Sequence, residues 1–148
     1  MLKGQLIHPE ILDAIGRAGH SSKILIADGN YPVHTKLGPN ATRVHLNLAP
    51  GLVSCTQVLE SLVTAVPIEA AEVMQFATTG PYALDAEPEI WADFRAILTG
   101  AGYDAPLQPI ERFEFYEVAG SPDVTLTIAT GEQRIYANLL LTIGVVLP

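Results

Sequence analysis

The sequence predicts one α/β domain, a single-domain sandwich with a mixed central sheet flanked by helices. Three observations predict it. The chain has 148 residues, 49% of them apolar and 16% charged. At this size folding hides roughly 70% of the extended-chain surface, so one proper core needs no staples. Helix-spaced and strand-like apolar segments also intermix along the whole length, as layered α/β architectures require. No internal repeat or low-complexity run interrupts them.

The first element is a helix over Pro9 to Ala18. Proline suits a first helical turn, where its missing N–H is not needed. Ile11, Leu12 and Ile15 have helical spacing, and Gly19 is a natural stop. Lys23 to Ala27 reads as a buried strand, with three branched apolar residues in a row. Asp28-Gly29-Asn30-Tyr31-Pro32 is a turn by composition. A loop through Gly38-Pro39-Asn40 leads to a short strand near Arg43 to Leu48.

Ser54 or Thr56 caps the next helix, which carries Val58, Leu59, Leu62 and Val63. Glu72 to Ala77 reads as a strand and Thr78 to Leu84 as a loop. Glu87 to Leu98 is the best amphipathic helix, with Ile90, Trp91, Phe94, Ile97 and Leu98 on one face. It stops at Gly100-Ala101-Gly102. Ile110 to Tyr116 fits a strand end or a short helix equally. Val124 to Ala129 alternates as a strand should, and Leu139 to Val146 is a second late strand.

Composition narrows the function. Lys plus Arg is 8 against Asp plus Glu 16, a formal charge of -8. Such a surface repels phosphate backbones and anionic lipid, so neither nucleic acid nor a membrane surface is an expected partner. The one cysteine, Cys55, excludes an internal disulfide and a multi-thiolate metal site. The start, Met1 to Gln5, has no apolar core of a signal peptide, so a cytoplasmic protein is expected. The uncharged stretch from Ile135 to Leu147 is too short to span a membrane, which takes about 20 apolar residues. It reads as a buried strand or two. The high apolar content also hints at subunit contacts.

Nucleotide, zinc-protease and serine-hydrolase signatures are missing from the sequence. Several constellations remain. His20 follows a helix end, and Asp28 ends the next strand before a glycine turn, where ligand sites of open α/β sheets collect. A strand of about six residues spans roughly 20 Å, so a straight segment keeps the two apart. They share a site if His20 meets the Asp28 end of another subunit, or if the chain folds back. Spacing alone reads His20 first as a helix-terminus histidine, and reads Asp28 equally as a plain Asx-turn.

Arg112 stands among Phe113, Phe115 and Tyr116 and the carboxylates Glu111, Glu114 and Glu117. Rings suit the apolar face of a sugar and arginine is a fixed donor to its hydroxyls, though a helix with inward rings explains the string as well. Tyr136 and Asn138 are two apart and share a strand face. Together they can serve a polyhydroxylated ligand, or be a cross-strand pair and a turn amide. His34 and His45 lack an adjacent carboxylate pattern and read as ordinary loop and strand-face histidines. Cys55 reads as a small buried residue.

Taken together the segments resemble the ribose pyranase and fucose mutarotase family. The matching pieces are Gly19-His20, the strand into Asp28, Tyr31-Pro32-Val33-His34, Arg112-Phe113-x-Phe115-Tyr116-Glu117, Thr130-Gly131-Glu132, and Tyr136-Ala137-Asn138 before Gly144-Val145. They fall in order over nearly the whole chain. The resemblance implies that His20 is the proton donor and that Asp28 binds sugar. It implies further substrate contacts from Arg112 and from Tyr136, Ala137 and Asn138. An arginine at that third contact, within its aromatic string, is similar to the fucose branch. Two departures stand out: Asn30 where the fucose branch carries histidine, and a slightly longer segment around Gly120-Ser121-Pro122. The resemblance also implies a homo-oligomer, up to a ring-shaped decamer, with the site between subunits.

The activity so implied is interconversion of sugar anomers, or of pyranose and furanose forms, on a monosaccharide such as L-fucose. Ring opening gives one proton to the ring oxygen and takes one from the anomeric hydroxyl. An imidazole titrates near neutrality and can do both. No cofactor, metal or redox partner is needed. The alternative is a non-catalytic monosaccharide-binding or sugar-transport accessory module, which would keep Asp28 and Arg112 but not need His20.

Overall fold

The computed structural model describes residues 1–148. Its elements, in chain order, are α1 (Pro9–Arg17), β1 (Lys23–Ala27), β2 (Thr42–His45), α2 (Cys55–Leu62), β3 (Ile68–Met74), α3 (Glu89–Gly100), β4 (Gln108–Ile110), α4 (Arg112–Ala119), β5 (Val124–Ala129) and β6 (Leu139–Ile143). The helix starts follow local chemistry. Pro9 opens α1, which turns Ile11 and Ala14 inward. Ser54 caps α2 in a reciprocal box with Gln57, a device worth about 1 kcal/mol, while Thr56 lies inside the helix.

The strands form one six-stranded mixed sheet in the order β2-β5-β1-β6-β3-β4. Every neighbouring pair is parallel except those made by β6, which runs against both β1 and β3. Both faces are covered, and the strand residues alternate between them. Ile24 and Ile26 join a large core with Ile11 of α1, Leu59 of α2 and Phe94 of α3. Leu25 and Ala27 point the other way, into a smaller core under Phe115 and Ala119 of α4. The expected sandwich is therefore correct: three helices lie on one face of a mixed sheet and one on the other. No helix is long and apolar enough to cross a membrane.

Lys23–Ala27 and Val124–Ala129 form as the pattern predicts. Other boundaries differ, for tertiary reasons. The strand expected over Glu72 to Ala77 is β3, which begins at Ile68 because it pairs along β6 from Ile68–Ile143 to Val73–Leu139. Phe76 has left the sheet and packs its ring edge-on against Trp91 at 5.7 Å. The strand expected over Arg43 to Leu48 stops at His45, and the chain then turns back so that Ala49 pairs with Leu52. The α3 helix begins at Glu89, after Pro88, and runs on to Gly100. The ambiguous stretch at Ile110 holds both readings: Ile110 ends β4, and Glu111 caps α4 by accepting from the Phe113 and Glu114 N–H groups. The last strand ends at Ile143, since Gly144 donates to Pro67 O (2.9 Å) and Val145 to Leu147 are exposed.

Candidate functional site

Because β6 alone is reversed, its amino end lies at the carboxyl ends of β1 and β3. Leu139 is in register with Ile26 on one side and Val73 on the other. Asp28, just past β1, therefore meets Asn138, just before β6. This is the edge at which open α/β sheets bind ligands.

Asp28 is only 4% exposed. Its backbone N–H donates to Asn138 Oδ1 (2.9 Å), and Asn138 Nδ2 donates back to Asp28 Oδ2 (3.0 Å). The Ala137 N–H also donates to Oδ2 (3.3 Å), and the Asn30 N–H to Oδ1 (2.9 Å). The last bond is an Asx-turn, so that plain reading of Asp28 is also realised. Burial pushes the Asp28 carboxyl above the usual carboxylate range; the N–H groups of Asn30 and Ala137 oppose this.

The turn after Asp28 is held from behind. The Gly29 N–H donates to Glu132 O (2.8 Å), and a Cβ on Gly29 would lie 2.9 Å from that oxygen. Only glycine fits this approach without a shift. Glu132 is itself buried, gripped by Arg134 Nε (2.9 Å) and Nη2 (2.8 Å) and by the Cys55 N–H (3.3 Å). Burial alone would raise the Glu132 carboxyl, but the Arg134 bonds outweigh it and hold it below the ordinary range. Cys55 is free and buried, and burial pushes its thiol up to about 12, so it is inert as a nucleophile.

Tyr136 takes a left-handed backbone (φ 58°), and its carbonyl accepts from the Trp91 indole of α3 (3.0 Å). Its hydroxyl donates to the Tyr82 carbonyl (2.9 Å). Arg112, the first residue of α4, sets its guanidinium 5.8 Å from the ring centres of Phe113 and Tyr116. No carboxylate forms an ion pair with it. Hydrogen bonding to Tyr116 raises its affinity for the proton further, so it is a permanent cation with no carboxylate to neutralise it.

These groups surround a cavity of about 340 Å³, near the lower end for small-molecule pockets. Asp28, Asn30, Asn138, Arg112 and the Tyr136 side form its polar part. Tyr31, Met74, Tyr82, Tyr116 and Ile135 supply apolar and ring surface. An acceptor, a cation and an apolar wall suit a ring carrying both hydroxyls and a C–H face.

Of the residues read from sequence, Asp28, Arg112, Tyr136 and Asn138 border this cavity. Ala137 stands behind it and contributes its N–H to Asp28. His20 does not border it. It lies at the amino end of β1, where Nε2 meets Glu69 Oε2 at 2.9 Å, both side chains being largely exposed. The eight residues from His20 to Asp28 span on the order of 25 Å of extended chain. His34 and His45 also lie away from the cavity, and His34 Nδ1 is 3.1 Å from Arg43 Nη1. Sequence reasoning misses Tyr31, Met74, Tyr82 and Ile135 as cavity residues. Tyr31 carried a faint signal, three positions after Asp28; the others carried none, because the end of β3 delivers Met74 and separate loops deliver Tyr82 and Ile135.

Fold and cavity together define an α/β protein with a small-molecule site at the carboxyl edge of its sheet. The chain belongs to the RbsD / FucU transport protein family, whose pattern matches residues 1–146. It is 35% identical to human fucose mutarotase, over 97% of this chain and 94% of that protein. It is 31% identical to the zebrafish fucose mutarotase, over 100% of this chain and 96% of the relative. Among solved structures, the fucose mutarotase of Streptococcus pneumoniae, in complex with L-fucose, superposes with a TM-score of 0.79 at 27% identity, covering 95% of each chain.

Proposed function

We propose that this chain is a monosaccharide mutarotase of the L-fucose type, and that its sugar lies in the Asp28–Arg112 cavity. The observation that carries the reading is the convergence of Asp28, Asn138 and an unpaired Arg112 on one cavity, in a chain of this family.

In the reaction the ring oxygen gains a proton while the anomeric hydroxyl loses one. The C1–O5 bond breaks, C1 becomes a carbonyl, the C1–C2 bond rotates, and reclosure gives the other anomer. Asp28 accepts from sugar hydroxyls. Arg112 donates to them, having no carboxylate partner. Asn138 retains one N–H beyond its bonds to Asp28, and the Ala137 N–H keeps the carboxylate aimed. His20 is assigned the proton transfer. Since it lies off the cavity of its own chain, the proposal includes a homo-oligomer in which His20 of a second copy completes the site. Positioned proton transfer supplies about 10²–10⁴-fold, or roughly 3–5 kcal/mol of barrier. That suffices for a reaction that proceeds unaided in water. A cytoplasmic location belongs to the same proposal, in keeping with the unpaired thiol of Cys55.

The test is exchange NMR between α- and β-L-fucose. Acceleration by wild type and its loss in His20→Ala are expected. No acceleration by wild type, or full activity in His20→Ala, overturns the reading. One observation favours a second reading, a non-catalytic sugar-binding module: His20 is paired with Glu69 on the far edge of the sheet. Binding of fucose without faster exchange would select it.

A further inference from the structure

We propose that Tyr82 is a specificity-determining wall of the sugar site, latched over the cavity by Tyr136, whose hydroxyl therefore meets the ligand only as an acceptor. The inference rests on the monosaccharide reading above.

Tyr82 sits in the loop between β3 and α3. The residue is 65% exposed and belongs to neither core cluster. A single exposed ring says nothing by itself. Its placement does. The loop is folded back on itself: Leu84 N–H donates to Ala77 O (2.9 Å), Ala83 N–H to Gly80 O (3.2 Å), and Gly80 takes a φ of 89° that favours glycine. The turn brings Tyr82 to the cavity that Arg112 also lines.

A long-range bond then fixes it there. Tyr136 Oη donates to Tyr82 O at 2.9 Å, and Tyr136 is itself anchored to α3 through Trp91 Nε1 (3.0 Å). Its ring also meets Phe76 edge-on at 6.4 Å. The chain α3–Tyr136–Tyr82 thus ties an otherwise exposed loop to the rigid sheet edge. The core has no use for that tie, since Tyr82 packs nothing into it. The cavity does, because the tie makes the Tyr82 ring one of its walls.

The same bond sets the polarity of the site. A phenol has one proton. With that proton on the Tyr82 carbonyl, Tyr136 offers the ligand lone pairs alone. Asp28 likewise only accepts. Donors to the sugar then include Arg112, the spare Asn138 N–H, the Asn30 amide and the unpartnered Tyr31 hydroxyl. Acceptors therefore cluster beside β1 and β6, with the cation on α4. The Tyr82 ring adds a surface for a C–H face or a methyl group. The ligand class is a pyranose with an apolar edge rather than a fully hydroxylated one.

The test compares wild type, Tyr82→Ala and Tyr82→Phe in L-fucose exchange kinetics, with melting temperature and light scattering alongside. Loss of the ring in Tyr82→Ala raises KM about three- to tenfold. kcat, melting temperature and oligomeric state stay as in wild type, because an exposed side chain is lost. Tyr82→Phe keeps the ring and the latching carbonyl and stays within about twofold of wild type. An active wild type with an unchanged KM in Tyr82→Ala overturns this inference alone. A rise in KM that Tyr82→Phe reproduces assigns the effect to the hydroxyl and also overturns the ring wall. A change of oligomeric state in Tyr82→Ala would make the ring a subunit contact and overturn it too. A wild type that neither binds nor accelerates the sugar defeats the mutarotase reading itself.

Discussion

Asp28 and Asn138, 110 residues apart in sequence, hold each other by two hydrogen bonds: Asp28 N–H to Asn138 Oδ1 at 2.9 Å, and Asn138 Nδ2 to Asp28 Oδ2 at 3.0 Å. The pair closes the seam between β1 and β6 at the edge where the cavity opens. Both residues are only 4% exposed, so water cannot replace either bond. Asn138→Ala leaves a buried N–H and a carboxylate oxygen short of partners. That costs about 2–4 kcal/mol and lowers the melting temperature by roughly 5–15 °C. Thermal unfolding checks it; an unchanged midpoint would mean the seam holds without the pair.

Asp28 gives the protein a pH signature. Its carboxyl lies above its ordinary value of 3.8, chiefly because burial penalises the charge. The folded state therefore binds this proton more tightly than the unfolded state. The contribution to stability is fully present below pH 3.8 and is lost as the pH rises through the folded value. The unfolding free energy of wild type relative to Asp28→Asn should fall as the pH climbs over that window. Denaturant titrations at a series of pH values read the difference, and a difference that grows with pH would contradict it.

Glu132 has the opposite sign. Arg134 holds its carboxyl below the ordinary value of 4.5 despite burial. Its contribution is present above pH 4.5 and disappears as the pH falls through the lowered value. Glu132→Gln keeps the size but loses the charge that the Arg134 fork grips. A cost of about 2–4 kcal/mol at neutral pH is expected, scaled down from a fully buried pair because Arg134 is partly exposed. The same variant should be flatter than wild type on the acid side of its stability profile.

Arg112 separates binding from folding. It is exposed, starts α4 and forms no ion pair. Arg112→Gln should change stability by no more than about 0.5 kcal/mol. Loss of a charged donor to the ligand should weaken monosaccharide binding by about 10- to 100-fold. Calorimetric titration of wild type and variant with L-fucose gives the ratio. Equal affinities would remove Arg112 from the site.

Much of this was legible in the chain. Lys23–Ala27 and Val124–Ala129 are unbroken strand-formers between breakers, and both formed where the pattern put them. Pro9 announced one helix start by local chemistry alone, and Ser54 or Thr56 announced a second, which the structure resolves to Ser54. Asp28 before a glycine and Arg112 among aromatic residues pointed to residues that do border one cavity; Tyr136 and Asn138 border it too, but from the turn before β6 rather than from one strand face. Where the reading slipped, pairing had overridden propensity. The ends of β3 and β6 follow their mutual register, and no window of residues contains that register. Tyr82 escaped notice because a turn and the long-range bond from Tyr136 place it, and no window of residues contains that bond.

From its residues alone, this protein's mixed α/β class and its acidic character can be derived, because periodicity and charge are local properties, while the side chains suited to hold a sugar stood out only through the resemblance to a family. Which of those side chains share a cavity was decided by one reversed strand. With β6 running against β1 and β3, Asn138 is carried to Asp28, and the amino end of β1, with His20, is left on the opposite edge. Strand direction is a choice among long-range pairings, and their relative free energies depend on the whole folded chain.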